Sequence, residues 1–134
     1  MKGIMKYRLL TIGVAVVLAV ALNSCGGGGY GSGGSMLTGA GAFSLTSPAD
    51  GAVGVGTTPT FTWTPSAGAS DFLVQVDTTG TFTGALVINA MVGGTTYSYT
   101  VPANMLALAT LYHWGVVAEN IYGQAVAGPR TFTP

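Results

Sequence analysis

Charge, cysteine and histidine are all scarce in this sequence. Only 6% of its 134 residues are charged, four Lys or Arg and four Asp or Glu. Lys2, Lys6 and Arg8 lie at the start, so Arg130 is the sole cation after residue 24. Asp50, Asp71, Asp77 and Glu119 oppose it: one arginine against four carboxylates, a formal charge of −3. Tight nucleic-acid binding neutralises phosphates with Lys and Arg, and one arginine excludes it. Cys25 is the single cysteine, which excludes an internal disulfide and a multi-cysteine metal site. His113 is the single histidine and no Gly-x-Ser-x-Gly elbow occurs, so an acyl-transfer triad lacks its parts. Calcium asks for about six to eight oxygens, and these carboxylates are scattered. Asp50 and Asp77 read as turn residues. Asp71 and Glu119 approach only on a flat sheet face, without the cleft that a glycosidase carboxylate pair flanks. No enzyme activity, catalytic residue, metal ligand or cofactor is expected.

Long apolar runs are missing as well. Leu9 to Leu22 is 14 residues, short of the roughly 20 that span a bilayer as a helix. Behind a basic start, that is the length of a signal-peptide core. The run ends in Leu22-Asn23-Ser24-Cys25, which resembles the lipobox of bacterial lipoproteins: an aliphatic residue, a tolerant position, a small residue and the cysteine. The resemblance implies cleavage after Ser24, diacylglycerol on the Cys25 sulfur and acylation of the new amino terminus. One acyl chain anchors marginally and two or more anchor stably. Gly26 follows in place of the Asp that commonly signals inner-membrane retention, which by analogy implies the outer membrane or cell surface.

Glycine is what the next segment has in abundance. Nine of the 16 residues from Gly26 to Gly41 are Gly, a composition costly to order and with little to bury. A flexible chain of that length spans about 20–24 Å. Gly26-x-Gly28-x-x-Gly31 matches a dinucleotide fingerprint only formally, since no strand precedes it and no helix follows. The expected organisation is a signal peptide over 1–24, a lipidated cysteine with flexible tether over 25–41, and one domain over 42–134.

From residue 42 the pattern becomes apolar alternation punctuated by turns, which reads as short antiparallel strands. Strands are predicted at Phe43–Thr46, Thr60–Trp63, Phe72–Val76, Leu86–Ile88, Thr95–Val101 and Leu111–Glu119. A Gly93-Gly94 turn precedes the fifth. Asn120 and Gly123 mark a hairpin into a last strand ending near Phe132. Residues 103–109 read as a crossover loop with one helical turn. Seven short strands in about 90 residues indicate a β-sandwich.

Three stretches carry a closer resemblance. They are Ser47-Pro48-x-Asp50-Gly51 with Pro59-Thr60-Phe61-Thr62-Trp63; Ala69-x-x-Phe72-x-Val74-x-Val76-Asp77 followed by Phe82; and Leu106-x-x-x-Thr110-x-Tyr112-x-Trp114-x-Val116-x-Ala118-x-Asn120-x-x-Gly123. Together they resemble bacterial fibronectin type III-like modules over residues 43–134. The resemblance implies a seven-stranded, immunoglobulin-like, all-β sandwich with a tyrosine corner, in which the Tyr112 hydroxyl bonds to backbone upstream. The family's usual Pro-Gly before the threonine is Leu108-Ala109 here, so that loop is expected to differ in shape.

Alternation assigns the faces. Tyr112, Trp114, Val116 and Ala118 point inward, against Phe61, Trp63, Phe72, Val74 and Val76. Leu73, Gln75, Asp77, His113, Gly115, Val117 and Glu119 point outward. On the outer face, Leu73 and Val117 are expected to join His113 in an apolar patch beside Gln75, of the kind that marks interaction sites. Exposed Tyr122 near the hairpin, with Tyr97 or Tyr99, is the candidate for stacking on a sugar ring. Three readings stay open on sequence alone: an envelope module that contacts proteins, a polysaccharide- or peptidoglycan-binding module, and a passive spacer.

Overall fold

The computed structural model describes residues 37–134. Cys25, the signal-like segment and most of the glycine-rich stretch lie outside the described residues. Eight strands follow in order: β1 Leu45–Ser47, β2 Ala52–Val53, β3 Thr60–Trp63, β4 Asp71–Asp77, β5 Ile88–Gly93, β6 Ser98–Thr100, β7 Tyr112–Asn120 and β8 Gly123–Thr133. β1, β3 and β6 form one sheet in the order β1-β3-β6, and the other runs β2-β8-β7-β4-β5. The result is the expected all-β sandwich, immunoglobulin-like and fibronectin type III-like. The strand beyond the expected seven is β2, a two-residue parallel pairing of Ala52 and Val53 with Phe132 and Thr133.

Alternation drives the two sheets together. β4 shows buried Phe72, Val74 and Val76 with half-buried Leu73 and Gln75 between them, and β7 buries Tyr112, Trp114, Val116 and Ala118. From the facing sheet come Phe61 and Trp63. The Phe61 ring stacks on Trp114 at 4.6 Å, and Trp63 packs tilted against Phe72 at 5.5 Å. Tyr112 lies over Phe132, and its hydroxyl accepts a hydrogen bond from the Ala107 backbone N–H at 3.0 Å. That is the tyrosine corner.

Several expectations are corrected. The fourth strand begins at Ile88, not Leu86, because Val87 N–H donates to the Val76 carbonyl just before regular pairing starts. It then runs on through Gly93. The fifth predicted strand shrinks to Ser98–Thr100, since Thr96 N–H turns back to the Gly93 carbonyl. Residues 103–109 form turns with no helix, as Asn104 and Ala109 hold φ of 68° and 56°. Ala109 takes the left-handed conformation that a glycine would hold at lower cost. Asp77 and Gly115, expected on the outer surface, are buried.

The chain enters the domain through residues that composition groups with the tether. Asn120 Nδ2 donates to the Thr38 carbonyl at 3.1 Å and to the Gly68 carbonyl at 2.8 Å, while Gly41 N–H donates to the Ala67 carbonyl. At Gly39 a Cβ would stand 3.0 Å from the Gly123 Cα. Glycine is needed there for the two backbones to meet.

Candidate functional site

Cross-strand register builds the outer face of the five-stranded sheet. Leu73 is opposite Met91 on one side and Val117 on the other, and Val117 is opposite Val126. Met91, Leu73, Val117 and Val126 therefore form one aliphatic row across β5, β4, β7 and β8. Its two ends are open, Met91 at 62% and Val126 at 66% of full exposure, with the middle pair half-buried. Side chains directly opposite across strands touch, so the row is one continuous apolar strip. A row of amides flanks it: Gln75 is opposite Asn89, with Nε2 donating to Asn89 Oδ1 at 3.5 Å. On the other flank Asp71 is opposite both Gly93 and Glu119, and Glu119 is opposite Gln124.

The expected surface residues are thus only partly brought together. Leu73 and Val117 are direct partners and Gln75 lies in the adjacent row. His113 pairs with Asp77, two rows away from Leu73. Between them Phe82 lies over Gly115, where an added Cβ would meet the phenyl ring at 3.4 Å. The apolar patch including His113 does not form. His113 sits under the turn after β4, and a Cβ on Gly80 would come within 2.8 Å of its Nδ1. Tyr122 is exposed in the β7–β8 turn, with its N–H donating to Asn120 Oδ1 at 2.9 Å.

Asp77 organises the turn after β4. One carboxylate oxygen accepts the N–H groups of Thr79 at 3.2 Å and Gly80 at 2.6 Å. The other accepts the Thr79 hydroxyl at 2.7 Å and the Phe82 N–H at 2.9 Å. Burial pushes the Asp77 carboxyl up, yet the bonds from Thr79, Gly80 and Phe82 outweigh it and hold the group below its ordinary range. Asp50 is likewise lowered, by the backbone and hydroxyl bonds from Thr131. Both carboxylates are occupied as structural acceptors. Arg130 donates from Nη1 to the Thr46 and Pro48 carbonyls, each at 3.1 Å, clasping the start of the three-stranded sheet.

Asp71 and Glu119 do come together, side by side with Ser70, Asn120 and Ile121 around a depression. No group of three or more His, Cys, Asp or Glu is placed to hold a metal among the described residues. Of the tyrosines expected outside the core, Tyr99 is half-buried against it and Tyr97 packs edge-on against Phe72 at 5.9 Å. Met91, Val126 and Phe82 are the surface-shaping residues that sequence reasoning missed. Asn89, Met91 and Gly93 do alternate outward, a signal hidden once the strand is placed two residues early and shortened.

No family model matches the chain, and no curated protein matches it. Among solved structures it is similar to a Fn3-like protein from Clostridium thermocellum. The two are 18% identical with a TM-score of 0.48, over 72% of this chain and 91% of that one. It is also similar to titin kinase and its flanking domains, at 20% identity and a TM-score of 0.37, over 67% of this chain and 15% of that one.

Proposed function

We propose that this chain is a lipid-tethered, non-catalytic interaction module of the bacterial cell envelope, which contacts protein through the outer face of its five-stranded sheet. The observation that carries the reading is the Met91–Leu73–Val117–Val126 row, an apolar strip in strict register with polar rows on both sides. Apolar strips rimmed by polar groups are how protein contacts are built. The carboxylates Asp50 and Asp77 serve turns, whereas the strip is open at both ends, at Met91 and Val126. The lipobox-like Leu22-Asn23-Ser24-Cys25 supplies the tether.

The test is crosslinking co-purification of the tagged full chain from native membranes, beside Cys25→Ala and Val126→Lys. The expected outcome is membrane sedimentation and a stoichiometric protein partner for the unsubstituted chain. Cys25→Ala should leave the membrane fraction, and Val126→Lys should stay there but lose the partner at least tenfold. A Cys25→Ala chain that still sediments with membranes defeats the tether. A partner retained by Val126→Lys defeats the contact surface.

A further inference from the structure

We infer that β5 is a self-pairing edge, and that two copies of this chain join β5 to β5, antiparallel about Met91, into one continuous ten-stranded sheet. The inference takes its tether and its apolar strip from the function proposed above.

β5 is the last strand of its sheet. In an antiparallel ladder, alternate residues direct both backbone polar groups to the neighbouring strand, and the others direct them away. Gly94 N–H donates to the Ser70 carbonyl, which extends the register in which Val92 faces Phe72 and Ala90 faces Val74. Even-numbered residues therefore bond inward to β4. Asn89, Met91 and Gly93 aim their N–H and C=O groups at the free edge, and among the described residues only the Gly93 carbonyl has another partner there, the Thr96 N–H.

Edges of this kind are usually blunted by charge, proline, bulges or shortness. The other edge strands of the described residues have such devices: β1, β2 and β6 are two or three residues long, and the exposed flank of β8 carries Gly128, Pro129 and Arg130 at a break in register. β5 has six residues with neither a charge nor a proline.

A second copy fits this edge for three reasons. About Met91, Asn89 of one copy falls opposite Gly93 of the other, so the two Met91 residues exchange both backbone bonds and each Gly93 N–H meets an Asn89 carbonyl. Met91 then lies beside Met91, and the aliphatic row runs unbroken from Val126 of one copy to Val126 of the other. The antiparallel arrangement also sets the Asp71 and Glu119 row of each copy in line with the Gln75 and Asn89 row of its partner, amide next to acid. A parallel arrangement would turn the two outer faces to opposite sides of the sheet and break the aliphatic row. Residues 39 and 40 meet Gly123 at the Asp71 end of the sheet, so the two chains leave at opposite ends. Anchoring both copies to one membrane raises the effective concentration for pairing.

Disulfide trapping of the full chain in native membranes tests this. In the pair, Met91 Cα atoms lie about 5.5 Å apart, within disulfide range. Val126 sits three strands further out on each side, so its two copies are roughly 34 Å apart at about 4.8 Å per strand. On mild oxidation Met91→Cys should yield dimer at least tenfold above the unsubstituted chain, which sets the background, and Val126→Cys should stay at background. Equal trapping at both positions means that the faces stack, and background trapping at both means no self-pairing; either overturns the inference. As a second reading, Met91→Lys in detergent should halve the protein mass by sedimentation, and an unchanged mass counts against it. A chain released from membranes that still traps through Met91→Cys sinks the tether alone, whereas a membrane-bound chain that fails to trap sinks the pairing alone.

Discussion

Asp77 looks from its position like one more outward residue at the end of β4, yet it is only 3% exposed and accepts four hydrogen bonds. Those bonds favour the ionised form in the folded state, so the folded carboxyl titrates below its ordinary value of 3.8. A group lowered by folding stabilises above the unfolded value, and that contribution is lost as pH falls through the folded one. Part of the acid lability of this domain is therefore expected below pH 3.8. Asp77→Ala should cost about 1–3 kcal/mol at neutral pH, because it strands three N–H donors. Its urea midpoint should also fall less steeply than that of the parent between pH 4 and pH 2, as about the range where carboxylates titrate. Parallel acid slopes for the two proteins would contradict this. Asp77 was legible in the sequence as a turn residue. Its burial was not, because that depends on residues 79–82 folding back around the carboxylate.

At the scale of elements, β7 is the strand most nearly readable from its residues. Tyr112, Trp114, Val116 and Ala118 alternate without interruption, and all four are buried as alternation demands. The tyrosine corner adds a specific bond: Tyr112→Phe keeps the ring over Phe132 but removes the acceptor for Ala107 N–H. A loss of about 1–2 kcal/mol is expected in denaturant unfolding, with an unchanged m-value. β5 is the opposite case. Ile88 to Gly93 breaks the alternation by placing apolar Met91 on the outward side, Gly93 and Gly94 resemble an early turn, and pairing with β4 makes the segment a strand.

For the whole molecule, one core between two sheets carries the stability. Trp114 is fully buried and stacked on Phe61, so Trp114→Ala should cost about 3–5 kcal/mol. That is a large share of the roughly 5–15 kcal/mol expected for a domain of this size. A thermal or denaturant midpoint close to the parent's would refute the core assignment. The sequence by itself determined the inward faces of β3, β4 and β7, the turn residues Asp50, Asn120 and Gly123, and the sandwich class, because period-two alternation and turn chemistry are local. Tertiary structure alone decided which outward residues meet. Leu73 and Val117 gained Met91 and Val126 as neighbours through register across four strands. His113 was taken from them by a turn that crosses the sheet, and β5 was left as a bare edge. Register and loop placement are long-range properties, and no window of sequence contains both partners of a cross-strand pair.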